Sequence, residues 1–390
     1  MIKRPASEDL ALVLASAAPR ARVPFDEVRQ LASAIKDWSS LISFAEQHAV
    51  LPLVDDALRR SGADVPSEAT QQLSGRIESI ALTGLHHLDL TAKVCARLGS
   101  AGLQVAPFKG PTLALMLYGS ATMRSSTDID LLVARPDALA ARRALEREGF
   151  RFWVTLDAHE ENRFLRYANE YTLSSPDGSI VELSWALAPR AMCLDVDMGS
   201  FLQHTMTLDT PATTFNVLGP EEYLVALSVH GSKHRWERIG WVADIAQLLD
   251  MRTMDLHRAS AIARLAHVER PLRLALVLAD IVTAQDQAAK ESVAVANGTS
   301  LSDLVDAVLH GWSTRLPSEP DPIFDTFALR LHTRAATQAE HVWRSALTPT
   351  VEDWRFVRLP ERLAWVYPLV RPVRLAWKYA SEQRGRTASP

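Results

Sequence analysis

Cysteine is nearly absent: Cys95 and Cys193 are the only two in 390 residues. Neither a disulfide framework nor a zinc site can be built from that pair, and both read as buried, reduced thiols. Long hydrophobic runs are missing too. No window holds about 18 consecutive apolar residues, so no membrane-spanning helix is expected. Met1 to Asp9 is polar and leads into a short apolar run, unlike a secretory signal, and the expected location is the cytoplasm. A basic excess is also lacking. Lys and Arg number 42 against 46 Asp and Glu, a net charge of -4. Proteins that grip nucleic acid by its phosphates carry the opposite imbalance, so no nucleic-acid partner is expected. No internal repeat is visible, and composition is silent on oligomeric state.

What is present is an ordinary globular composition, 47% hydrophobic and 23% charged, over a length that suits two or three domains. Residues 1–100 carry helical periodicity. Helices are expected after Ser7, after Pro24, from Trp38 to about Arg60, and from about Glu68 to Leu98. The His86-His87 pair in the last of these reads as a helix-surface or core feature. From Gly102 the period changes. Strands are expected at Leu103–Phe108, Thr127–Ala134 and Phe152–Thr155, with helices at Thr112–Tyr118 and Asp137–Glu148. A hairpin, Tyr171–Ser175 with Ser179–Trp185, turns on Pro176-Asp177-Gly178. Residues 189–216 are irregular, with a strand at Thr213–Val217. Helices then begin at Pro220, Ile239, Asp255, Pro271, Leu301 and Pro322, with a loop at Gln285–Thr299. The fold class is α+β: a small mixed-sheet core at 101–188 between a helical region at 1–100, a helical domain at 189–315, and a helical extension with a basic tail at 316–390.

The chemistry concentrates in 105–133, V-A-P-F-K-G-P-T-L-A-L-M-L-Y-G-S-A-T-M-R-S-S-T-D-I-D-L-L-V. Asp128 and Asp130 flank Ile129 on a strand, so both carboxylates project from one face. Two carboxylates on one face of a buried strand are costly without a cation. Magnesium is the expected ion, because it prefers oxygen ligands and works with phosphates. Two ions about 4 Å apart would activate the attacking oxygen and hold the triphosphate. Glu182, on the second hairpin strand, is the third metal ligand or the general base. Gly110 opens a helix after a strand, where backbone N–H groups reach phosphate oxygens. Lys109 and Arg124 add positive charge, and Ser126 belongs to the same candidate nucleotide-binding set. Each feature alone is ordinary, and their order makes the case.

These residues resemble the nucleotidyltransferase superfamily that includes DNA polymerase β and the aminoglycoside nucleotidyltransferases. That superfamily shows a Gly-Gly or Gly-Ser turn, a D-x-D or D-x-E strand and a third carboxylate. Here F-K-G-P stands at the turn, and Gly119-Ser120 is a rival that follows the helix instead of opening it. More narrowly, the chain resembles a family of bacterial uncharacterised nucleotidyltransferases that read L-L-K-G…S-D-I-D-L-L-V, then D/E-L-H-W, then H-x-x-K-H…W-x-x-D. The matching residues are Lys109, Gly110, Asp128, Ile129, Asp130, Glu182, Trp185, His230, Lys233, His234, Trp241 and Asp244. Ser184 stands where histidine is usual. The resemblance implies an NTP co-substrate, ATP among the candidates, and a role for Lys233, His230 and His234 over the nucleotide, with Asp244 orienting Lys233 or a histidine. Family members often sit near genes for polysaccharide or modified-peptide biosynthesis, lasso peptides included, which implies a small-molecule or peptide natural-product acceptor.

The expected function is magnesium-dependent transfer of a nucleoside monophosphate with release of pyrophosphate. The alternatives are a non-catalytic binding or regulatory module of the same fold, and sugar-phosphate or phosphoryl transfer at the same metals. Residues 351–390 hold eight Lys and Arg against four acids, with Trp354, Trp365 and Trp377 between them. Such a tail can dock on its own protein or lie on a membrane surface. Pro360, Pro368 and Pro372 are expected to interrupt any long helix there, and Gln383–Pro390 is expected to be disordered.

Overall fold

A computed structural model describes residues 8–283, 299–314 and 325–387. Ser7, most of the 285–299 segment and 388–390 lie outside the described residues. Five helices come first: α1 (Glu8–Ser16), α2 (Phe25–Ala34), α3 (Trp38–Gln47), α4 (Leu51–Ser61) and α5 (Ser67–Ser100). The single helix expected over 38–60 is two. Pro52 cannot donate to a preceding carbonyl and sits in the first turn of α4, and Ala49 turns the chain with φ 57°. Gly62 ends α4 in the left-handed conformation, φ 67°. The 34 residues of α5 make a rod about 50 Å long, packed on α3 and α4 and against the sheet domain.

That domain runs β1 (Val105–Pro107), α6 (Gly110–Tyr118), β2 (Ile129–Val133), α7 (Ala138–Glu146), β3 (Arg151–Phe152), α8 (Ala158–Tyr167), β4 (Glu170–Ser174) and β5 (Ile180–Ser184). The sheet order is β1-β2-β5-β4-β3, with β2 and β5 parallel and the other neighbours antiparallel. The expected hairpin is β4–β5. The helix α8 was not expected, although its signal is present. Asp157 accepts from the His159 and Glu160 amides while Glu160 reaches back to the Asp157 amide.

The chain continues with α9 (Met198–Gln203) and a separate ladder of β6 (Thr205–Asp209) and β7 (Thr214–Leu218). Only β7 was expected; β6 is largely exposed, but Met206 and Leu208 alternate with Thr205, Thr207 and Asp209, a short strand signal that the sequence does carry. Helices follow: α10 (Pro220–Lys233), α11 (Ile239–Leu249), α12 (Leu256–Leu265), α13 (Glu269–Thr283), α14 (Thr299–Ser313), α15 (Thr326–Arg330), α16 (Ala335–Leu347), α17 (Val351–Phe356) and α18 (Tyr367–Thr387). The helix expected from 322 to 347 begins outside the described residues and, within them, is divided into α15 and α16. The expectation that proline interrupts the tail fails, because α18 runs through Pro372 and continues over 383–387. Proline inside a helix costs about 3 kcal/mol; packing of Tyr367, Arg371 and Leu375 against α16 and α17 opposes that cost.

Every residue of β2 is buried, and its side chains divide between two cores. Ile129, Leu131 and Val133 join Val181 and Leu183 of β5, Tyr171 of β4, α7, and Trp354 and Tyr367 from the C-terminal segment. Leu132 faces the other cluster, with the N-terminal helices, β7 and α10 to α14. Asp130 and Leu132 share a face by alternation, so the acid is turned toward α10 and α11. No described helix is long and apolar enough to cross a membrane.

The turn that closes α10 is sterically tight. A Cβ on Gly231 would lie 2.6 Å from three ring carbons of the fully buried Trp236. Gly231→Ala should lower stability in urea denaturation by about 1–3 kcal/mol through overpacking. Gly75→Ala, on α5 with nothing within 4 Å, should raise it by up to about 1 kcal/mol.

Candidate active site

Parallel pairing of β2 and β5 sets Asp130 directly beside Glu182. Asp128 lies one residue before β2 and faces the same way. One carboxylate oxygen from each of Asp128, Asp130 and Glu182 lies within 4.8 Å of the others, the only such group of three metal-ligand side chains among the described residues. Three acids at that separation repel one another and lose hydration, and a divalent cation relieves both penalties. Burial, above all, raises the Asp130 carboxyl, with Lys109 opposing. Glu182 is pushed up to about 7, first by burial and then by Glu170, Asp130 and Asp128. The oxygen-only donor set suits a hard cation such as magnesium.

Lys109 supplies the countercharge, with Nζ 2.8 Å from Asp130 Oδ1. Its backbone sits at φ 66°, ψ -151°, a region that glycine occupies easily and other residues at a cost of about 1–3 kcal/mol. Lysine therefore stands in a glycine-like backbone position. Gly110 follows at φ +56°; a Cβ there would meet only Ser126 Oγ, at 3.6 Å. Its dihedral, not crowding, selects glycine. Gly110 opens α6, whose first N–H groups lack intrahelical partners. Gly119, in the rival motif, closes the other end of α6.

The loop into β2 is anchored from two sides. Arg124 Nε is 2.9 Å from Asp244 Oδ2, and Tyr118 donates its hydroxyl to Asp244 Oδ1 at 2.9 Å. Asp244, on α11, thus holds Arg124 and Tyr118, not Lys233 or a histidine as expected. On the other side, Ser126 donates to the Asp128 carbonyl at 2.7 Å and meets His87 Nδ1 at 3.0 Å. His86 Nε2 reaches Ser179 Oγ and Asp177, both at 3.1 Å. The histidine pair therefore ties α5 to both acid-bearing segments. Nothing in the local sequence marks that role.

His230 and His234, on and just after α10, have ring centroids 4.7 Å apart and both abut Trp241. Burial holds His230 far below its usual range and His234 down to about 3, so both are neutral. Among the described residues no third metal-ligand side chain joins them. Trp185, carried by the same motif as Glu182, is buried in the core and donates to the Ala168 carbonyl at 3.1 Å.

The resulting cleft has a volume of about 250 Å³. Its wall includes the acids, Lys109, Arg124, Ser126, His230, Lys233 and His234, all anticipated, except that Gly110 lies behind the wall at the start of α6. Glu170 and Arg238 also line it and were missed. Glu170 stands opposite Ser184 in the β4–β5 ladder and accepts from Asn169 Nδ2 at 2.7 Å. Only pairing across the hairpin puts it in the site.

A family model described as uncharacterised nucleotidyltransferase matches residues 35–284 and so contains every residue of the cleft. No curated protein matches the chain. The chain is similar to the solved structure of an antigenic nucleotidyltransferase-like protein from Paracoccidioides brasiliensis, at 16% identity over 48% of this chain and 91% of that one, with a TM-score of 0.28.

Raising the Glu182 carboxyl from its ordinary 4.5 to about 7 means that the folded protein keeps a proton the unfolded chain has lost. The stabilisation this gives is complete below about pH 4.5 and is lost as pH rises through about 7. A divalent cation competes with that proton. Its affinity, measured by calorimetry with Mn²⁺, should rise about tenfold from about pH 6 to about pH 8. Glu182→Gln should flatten the dependence, and a pH-independent wild type would remove Glu182 from the ligand set.

Proposed function

The chain belongs to the uncharacterised nucleotidyltransferase family, and from that premise we propose that it transfers a nucleoside monophosphate from an NTP to an acceptor hydroxyl or phosphate. The acceptor is a small molecule or a peptide natural product. The observation that carries this reading is the gathering of Asp128, Asp130 and Glu182 in one cleft with Lys109 at its edge.

Asp128 and Asp130 would hold magnesium, with Glu182 as third ligand or as base. When bound, the metal supplies Lewis-acid activation and neutralises phosphate charge. Lys109, Lys233, Arg124 and the N-terminus of α6 meet the triphosphate. The acceptor oxygen bonds to the α-phosphorus, the bond from that phosphorus to the bridging oxygen breaks, and pyrophosphate leaves. A Glu182 carboxyl near 7 is matched to receiving the acceptor proton at neutral pH. The neutral, buried His230 and His234 shape the wall beside Lys233 and add no charge there.

A binding module of the same fold does not require three carboxylates at their mutual electrostatic cost, and all three are kept. Phosphoryl or sugar-phosphate transfer at the same metals differs in the mass of its products.

Calorimetric titration of ATP, GTP, CTP and UTP, with and without magnesium, is the direct test. One NTP should bind in a magnesium-dependent manner, and Asp128→Ala/Asp130→Ala should abolish that dependence. With an acceptor in hand, pyrophosphate release should fall by roughly 100-fold or more in the same variant. No binding of any NTP to folded wild type would overturn the catalytic reading.

A further inference from the structure

The two faces of α18 have different surroundings. Tyr367, Arg371 and Leu375, spaced one turn apart, are buried against α16 and α17. Arg371 donates to the Ser345 carbonyl at 3.0 Å, and Arg374 pairs with the fully buried Asp353 at 2.5 Å. The opposite face carries Trp365, Leu369, Val373 and Trp377, which are 71%, 58%, 62% and 70% exposed. Their four-residue spacing makes one continuous stripe along the helix and the turn before it. Single exposed apolar residues are ordinary, but a stripe of four large ones marks a contact surface.

Charge identifies the partner. The whole chain is net negative, yet residues 355–378 contain six Lys and Arg and one acid. Nearby Asp353 is already taken by Arg371 and Arg374. Arg358 and Arg362 are exposed beside the start of the stripe, and Arg355 lies 6.0 Å from the ring of the exposed Trp153. Indole rings with aliphatic side chains on one helix face, flanked by guanidinium groups, match the chemistry of a bilayer interface. There, rings settle at headgroup depth and cations meet lipid phosphates. The stripe rides on the outer face of a helix whose inner face is docked.

We propose that the face formed by Trp365, Leu369, Val373 and Trp377 lies on the surface of an anionic lipid bilayer. The contact is peripheral, and the buried face of the same helix keeps it attached to the protein. Nucleotide chemistry plays no part in this inference, so it stands or falls apart from the function proposed above.

Flotation of the intact chain with vesicles of phosphatidylcholine, with and without phosphatidylglycerol, tests it. Binding to the anionic vesicles should exceed binding to the neutral ones and weaken with salt. It should fall roughly tenfold or more in Trp365→Ser/Leu369→Ser/Val373→Ser/Trp377→Ser. Circular dichroism checks that the variant folds. If it does not, brominated lipid should quench tryptophan emission of the wild type and quench Trp365→Phe/Trp377→Phe less. Failure of the wild type to float with anionic vesicles would overturn the proposal, as would unchanged flotation or quenching in the variants. Light scattering that shows a wild-type dimer and a monomeric stripe variant would assign the face to a second copy instead.

Discussion

A carboxylate in the middle of a fully buried strand constrains everything around it. Asp130 is held 2.8 Å from Lys109, and Arg124 also favours its charged form. Neither cation is free to be elsewhere. Lys109 is fixed by a backbone conformation that lysine adopts only under strain. Arg124 is buried and needs its own partner, Asp244, which in turn accepts from Tyr118. The charges therefore form a chain from the sheet, through the loop before β2 and the last residue of α6, to α11. Removing one member leaves a buried charge uncompensated, which costs more than the pair itself contributes. Together with its packing on α6, α10 and α13, this chain ties α11 to the loop before β2.

The same logic explains why the cleft lies on one face of β2. Alternation sends Ile129, Leu131 and Val133 into the cluster shared with α7 and α8, and turns Asp130 and Leu132 toward α10 and α11. The acids lie at the seam between two hydrophobic clusters. There the walls exclude water well enough to raise Glu182, while the mouth stays open to a ligand. The long helix α5 braces this seam from outside through His86 and His87, one on the hairpin turn and one on the loop before β2. Histidines that read as featureless positions on a helix thus become supports for the acids.

What was legible from sequence is what is local. The D-x-D strand, the hairpin on Pro176-Asp177-Gly178 and the helix opened by Gly110 each rest on signals within a few residues, and the sheet realises all three. Three local signals were present and passed over: Pro52, which divides α3 from α4, the Asp157–Glu160 box that starts α8, and the Met206/Leu208 alternation of β6. The remaining gaps are non-local. Arg124 and Asp244 are 120 residues apart, and no spacing rule connects them. Glu170 enters the cleft only because β4 pairs with β5 in a register that sets it opposite Ser184. Pro372 misled because propensity was judged without the packing that overrides it.

The C-terminal segment shows why composition alone left two readings of the tail. Docking onto the protein and presenting a surface seemed to compete because a flat list of Arg and Trp has no geometry. On a helix the two are assigned by position. Residues 367, 371 and 375 make the docked face, and residues 365, 369, 373 and 377 the outer one. Trp354 belongs with the first group: it is buried in the cluster that includes Leu131 and Val181. The outer stripe is therefore carried by a helix that packs on α16 and α17, and Trp354 and Tyr367 root that assembly in the core beneath the acid-bearing strands. The stripe is thus joined to the sheet's core through packed side chains.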